Sequence, residues 1–163
     1  MIRALALLAL TACATPVVSS EAPDGHRSPL TPVMERYAGM DATALKRATD
    51  RETIQSVNEF YNRVAYVTDL SNYGRSEYWA SPDEFVKNGG DCEDYAIAKF
   101  FALKSLGFED MRIVAYTKPT GQAHAVLVVK LDMEWALDNE TNRLKPFAGD
   151  WIYAADERGY WLR

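Results

Sequence analysis

The 163-residue chain is poor in the side chains that most often carry chemistry, with two cysteines and two histidines. That inventory excludes a zinc site built from those residue types alone and a scaffold stapled by several disulfides. Positive charge is also scarce, 18 Lys and Arg against 23 Asp and Glu for a net −5. A nucleic-acid binder needs a basic footprint, so that class is excluded on charge. No internal repeat is present, and the apolar run at residues 4–10 is too short to span a bilayer. What remains is ordinary for one globular domain: 48% hydrophobic composition over this length is enough for a single buried core.

The N-terminus reads as a secretory signal over residues 1–12, with Arg3 as its charge and residues 4–10 as its apolar stretch. Leu10-Thr11-Ala12-Cys13 resembles the lipobox of bacterial lipoproteins, which would make Cys13 a lipidated first residue and anchor an exported, periplasmic protein to a membrane. Residues 14–32 hold four of the seven prolines, so residues 13–40 are expected to form a flexible tether and residues 41–163 the folded domain. With Cys13 acylated or removed, Cys92 would be a lone thiol in an oxidising compartment, either a buried small hydrophobe or a nucleophile.

Within the domain, Leu45, Ala48, Ile54, Val57, Phe60, Tyr61 and Val64 recur at helical spacing, predicting one helix over residues 42–67 or two joined near Asp50. Residues 69–79 read as loop. Ser81-Pro82-Asp83-Glu84 carries a capping signature that starts a short helix over residues 82–87, ended by Gly89-Gly90. Apolar residues lie almost all round the wheel over residues 91–106, predicting a centrally buried helix with Asp91 as N-cap and Gly107 as C-terminal cap. Strands are expected over residues 112–117, 123–129, 135–137 and 151–154. Helices followed by an antiparallel sheet make the fold class α+β.

This order places Cys92 in the first turn of a core helix, where unpaired amides and the helix dipole favour a thiolate. His124, the one histidine of the expected domain, lies in a strand and supplies a base; Asp138, at the end of the next strand, supplies the group that orients it. Taken singly, a buried Cys, a strand His and a turn Asp are commonly structural. In this order they match papain-like and transglutaminase-like enzymes. A hairpin closed tightly at Asp132-Met133 would set His124 about 10 Å from position 138, so a register centred on Leu131 with a loop over residues 130–133 is expected. Asp91, Glu93 and Asp94 crowd the thiol with negative charge; a hard cation such as Ca²⁺ would neutralise them, although acids also suit any helix start.

Trp79-Ala80-Ser81-Pro82-Asp83-Glu84-Phe85, Gly89-Gly90-Asp91-Cys92-Glu93-Asp94-Tyr95-Ala96-Ile97-Ala98-Lys99, His124-Ala125-Val126-Leu127 and Leu137-Asp138-Asn139 together resemble the bacterial transglutaminase-like cysteine proteinases of the LapG type. The resemblance implies a papain/transglutaminase-like fold, with N-terminal helices and a central buried helix packed on an antiparallel sheet. It implies a Cys92, His124, Asp138 triad and a calcium ion held by Asp91, Glu93 and Asp94. For partners it implies a large surface adhesin of a biofilm as protein substrate and an inner-membrane cyclic di-GMP receptor as restraint. The chain departs from the usual motif at Ser81 and Ala125. Two other functions fit the residues: a lipid-anchored binding protein without turnover, and a transamidase or cell-wall amidase on the same fold.

Overall fold

The computed structural model describes residues 28–156 and 159–162, the last three of these by backbone alone. The signal segment and Cys13 lie outside the described residues. The tether does not extend to residue 40: helix α1 (Thr31–Arg36) starts with Pro32 in its first turn, and Leu30 and Val33 are fully buried in the main core. Proline there has no amide to lose and its fixed φ suits a helix start.

The helix expected over residues 42–67 divides into a 3₁₀ turn at Thr43–Leu45 and α2 (Asp50–Tyr61). Thr49 fixes the start of α2 by a capping box, its Oγ1 accepting from the Glu52 amide at 3.2 Å while its own amide donates to Glu52 Oε2 at 3.1 Å. Residues 69–79 are not all loop, since Thr68 caps a short α3 (Asp69–Tyr73). Helix α4 (Pro82–Asn88) begins at the predicted Ser81 cap. Helix α5 (Cys92–Ser105) is buried along residues 92–103. It ends at Gly107, whose φ of 91° permits the bond from the Phe108 amide to the Leu103 carbonyl. Burying Ile97, Phe100 and Leu103 stabilises the domain by about 1.5–3 kcal/mol each.

Six antiparallel strands follow: β1 (Met111–Thr117), β2 (Ala123–Lys130), β3 (Glu134–Leu137), β4 (Lys145–Pro146), β5 (Tyr153–Asp156) and β6 (Gly159–Leu162), ordered β4-β3-β2-β1-β5-β6. The strand expected over residues 151–154 begins two residues later, and the short β4 and β6 had no pattern of their own. Side chains alternate across the sheet. Ile113, Leu127, Val129, Trp135 and Leu137 join the helices in the main core, while Val114, Val126, Val128, Ala136 and Ala154 form a second cluster covered by Tyr116, Phe147 and Trp151. Residues of α5 pack chiefly on β2 and α2. Among the described residues no helix is long and apolar enough to cross a membrane.

Candidate active site

Cys92 is the first residue of α5, and the bond network behind it explains its position. The Asp91 amide donates to Asp94 Oδ2 at 3.2 Å and the Ala80 amide donates to Asp94 Oδ1 at 2.8 Å, so one carboxylate ties the head of α5 to the segment entering α4. This close approach requires Gly90: a Cβ there would meet Asp94 Oδ2 at 2.3 Å and Phe85 Cδ2 at 2.8 Å. On the other side the Gly90 amide donates to the Ala65 carbonyl and the Val67 amide donates to the Gly90 carbonyl. The sulfur therefore rests on a backbone clamped from two sides.

Cys92 is buried against Ala125 of β2, and its Sγ is 3.3 Å from Glu93 Oε2. It is disulfide-bonded, and no described cysteine is free. The expectation of a lone thiol is not met in this structure; the chain's other cysteine, Cys13, lies outside the described residues. A nucleophile at this position is the reduced form of Cys92.

His124 lies one residue before Ala125 and is buried. Its Nε2 is 2.9 Å from Asp138 Oδ1. The route to this contact differs from the expected one. The β2–β3 pairs run from Lys130 with Glu134 to Leu127 with Leu137, so the hairpin is centred on Asp132 and its loop spans only residues 131–133. Continued one step, this register puts position 138 opposite Val126. His124 is two residues further along on the same face, and a diagonal of about 7–8 Å between backbones is within reach of an imidazole and a carboxylate. Burial alone would raise the Asp138 carboxyl, but His124, the Glu140 amide and Lys99 hold it below its ordinary value. With Nε2 engaged by Asp138, Nδ1 is the nitrogen left for a proton from sulfur.

Cys92 and His124 line one small cavity together with Glu77, Trp79, Glu93 and Tyr153. Its volume of about 20 Å³ suits roughly one water. The Trp79 and Tyr153 rings form an edge-to-face wall, centroids 6.2 Å apart.

The acids sort into two roles. Asp91 and Glu93 have carboxylate oxygens within 4.8 Å of each other and of Asp69, all three residues being buried. Asp94, the third acid of the motif, spends both oxygens on backbone amides. Asp69 was not singled out in the sequence because it joins the group only through the pairing of residues 65–67 with Gly90; the capping Thr68 was the one local signal nearby. Glu77 was likewise missed.

Removal from water dominates the ionisation of this group. Burial raises Asp69 to about 6, with the Asp91 charge adding to it. Glu77 is raised by burial to about 7, against the pull of the Trp79 indole N–H. Asp94 is raised to about 8 by burial, opposed by the Ala80 amide and reinforced by Asp91 and Asp69. Burial also raises Asp91 and Glu93, and the Asp91 charge raises Glu93 further. Asp69 Oδ1, Asp91 Oδ1 and Glu77 Oε2 are buried without a hydrogen-bond partner among the described residues. Hard oxygen donors that repel one another, with an unpartnered oxygen left on Asp69 and on Asp91, fit a cation of the Ca²⁺ type.

The family and the fold are shared with known proteins. The family described as bacterial transglutaminase-like cysteine proteinase, BTLCP, matches residues 35–155. Among solved structures, calcium-bound LapG of Legionella pneumophila superimposes with a TM-score of 0.65 at 31% identity, covering 74% of this chain and 73% of that one. EGTA-treated LapG of the same organism gives 0.64 at 31% identity, covering 75% and 72%. A third LapG structure gives 0.64 at 32% identity, covering 74% and 71%. No curated protein matches the chain.

Proposed function

The chain belongs to the bacterial transglutaminase-like cysteine proteinases and is a cysteine protease, and from that premise we propose a calcium-dependent endopeptidase using a Cys92, His124, Asp138 triad on an exported protein. The observation that carries this reading is the 2.9 Å His124–Asp138 pair, whose His124 lines the same cavity as Cys92 at the head of α5. His124 Nδ1 takes the thiol proton as Sγ attacks the scissile carbonyl carbon. The C–N bond then breaks, the same nitrogen returns the proton to the departing amine, and a thioester remains. Water attacks the thioester with His124 again as base, releasing the acid and restoring the thiol. Asp138 holds Nε2–H and stabilises the imidazolium throughout. The Cys92 amide, at a helix start, is placed to donate to the oxyanion.

Asp69, Asp91 and Glu93 would hold the calcium ion. It would neutralise the carboxylates flanking the sulfur and fasten the Asp69 segment to the head of α5. The calcium-bound and EGTA-treated forms of LapG support this assignment by similarity. The N-terminal segment supports export to the periplasm and, in the form of the chain whose Cys92 is reduced, attachment through Cys13. A large surface adhesin as substrate and a cyclic di-GMP receptor as regulator follow from the family resemblance.

The test is incubation of exported adhesins from the native host with reduced wild type, with Cys92→Ala, and with wild type plus EGTA. Fragments with untreated wild type alone support the reading. Fragments with Cys92→Ala remove the nucleophile assignment, and undiminished cleavage in EGTA removes calcium. Cross-linked or stem-peptide products would instead mark a transamidase or amidase.

A further inference from the structure

One acid beside the triad has no part in its chemistry. Glu140 follows Asp138 by two residues, and its amide donates to Asp138 Oδ1 at 2.9 Å, folding the strand end into a turn that brings the two carboxylates together. One ligand atom from each of His124, Asp138 and Glu140 lies within 4.8 Å of the other two. His124 and Asp138 are buried and Glu140 is exposed, so the cluster opens to solvent on the Glu140 side. The Tyr116 ring closes another side, edge-to-face with the imidazole at 5.6 Å between centroids.

The backbone carrying both acids is secured from α2. Asn62 Nδ2 donates to the Asp138 carbonyl at 2.9 Å and to the Thr141 carbonyl at 3.1 Å, and Asn58 Nδ2 donates to the Thr141 carbonyl at 3.0 Å. Ligands on a backbone held in this way need no ordering when an ion arrives. Lys118 Nζ pairs with Glu140 Oε1 and offsets one of the two negative charges, and the carboxylate has a second oxygen to offer. One imidazole nitrogen and two carboxylate oxygens, with a fourth position open, are the donor set of a borderline divalent ion such as Zn²⁺; the all-oxygen group of Asp69, Asp91 and Glu93 suits calcium instead. Zinc sets its ligand atoms about 3.3 Å apart. His124 Nε2 and Asp138 Oδ1 therefore need to part only slightly from 2.9 Å, while the exposed Glu140 side chain swings inward by about 1–1.5 Å.

We propose that His124, Asp138 and Glu140 form an inhibitory Zn²⁺ site on the Nε2 side of the imidazole. The ion takes the place of the proton shared by His124 Nε2 and Asp138 Oδ1. A neutral imidazole bound to a metal through Nε2 carries its one proton on Nδ1, so that nitrogen donates and cannot accept the thiol proton. Zinc thereby stops the base without touching the sulfur. The binding is independent of the protease reading, and the inhibitory effect rests on it. Zinc binding is measured on the full chain with its disulfide intact, so that Cys92 cannot ligate, and in excess calcium, so that Asp69, Asp91 and Glu93 are filled. Affinity is read by competition with a zinc-sensitive dye, and Co²⁺ in place of zinc reports its coordination by visible absorption. Wild type is compared with Glu140→Gln and with His124→Ala, or with His124→Asn if the alanine variant does not fold.

Zinc is expected to bind wild type and to be weakened by about tenfold or more in either variant, with the Co²⁺ bands of a tetrahedral site lost when His124 is replaced. The reduced wild-type chain should lose protease activity as zinc is added, and Glu140→Gln should need about tenfold more zinc for the same loss. Affinity indifferent to both substitutions overturns the proposal, as does zinc that binds only once the disulfide is reduced or that calcium displaces. Zinc bound at these residues with undiminished turnover overturns the inhibitory role. A reduced chain that binds zinc here and cleaves nothing even without it counts against the protease reading instead, and the metal site stands.

Discussion

His124 and Asp138 meet diagonally across the β2–β3 hairpin, 2.9 Å between Nε2 and Oδ1, although the strand register sets Val126 opposite position 138. The contact depends on a carboxylate with the right charge and acceptor geometry at the strand end. Asp138→Asn is expected to leave the fold intact and present a donor to Nε2, favouring the tautomer whose Nδ1 carries the proton. Turnover should fall by on the order of 10²-fold or more with little change in KM. Near-wild-type kcat in steady-state assays would remove Asp138 from the triad.

Reduced Cys92 is expected to alkylate rapidly well below the pH of about 8.5 at which a free thiol is half ionised. The helix start and the imidazole both favour the thiolate. His124→Ala should move the alkylation midpoint toward the ordinary value, and a rate indifferent to that substitution would separate the sulfur from the imidazole.

The ordinary parts of this architecture were readable because their signals are local. Ser81, Pro82 and Glu84 set the start of α4 within four residues, Gly107 stops α5, and the all-round apolar content of α5 marks it as central. Cys92, His124 and Asp138 were visible as a sequence order, and the family motif named them. The hairpin register differs from the expected one because side-chain length lets His124 and Asp138 meet on a diagonal, without direct opposition. Asp69 and Glu77 were invisible for a different reason. The short bridge between Tyr66 and Gly90 brings that segment to the site, and no periodicity in residues 65–79 announces it. Likewise Leu30 and Val33 sit among prolines that suggested a tether, yet they fill the core.

Stability should fall as pH rises in the absence of calcium. Asp69, Glu77 and Asp94 have folded values of about 6, 7 and 8, above those of an unfolded carboxyl near 4. The folded state therefore holds more protons between these limits, and the unfolding free energy declines through pH 4–8. Calcium, binding the ionised acids, should offset the decline most at the alkaline end. Melting curves in EGTA and in calcium at pH 5 and pH 8 test this. A calcium shift as large at pH 5 as at pH 8 would contradict it.

Gly90→Ala is expected to destabilise the domain by about 1–3 kcal/mol, since its Cβ would fall 2.3 Å from Asp94 Oδ2 and 2.7 Å from Asp94 Cβ. Displacing that carboxylate releases the Asp91 and Ala80 amides together. Chemical denaturation should show the loss, and Asp94→Asn in the same background should add less than its separate effect because both changes act on one network. Full additivity would place the strain elsewhere.

The burial of α5 along residues 92–103 divides the work of the site between still and yielding parts. A sulfur mounted on so deeply buried a helix can be moved only by disturbing the core that holds it. Adjustment to a substrate or an inhibitor is left to the stretch carrying Asp69 and Glu77, joined to the helix head by two backbone bonds and three acids. An ion binding there would act as a latch on that stretch, and the nucleophile itself would stay where the core puts it.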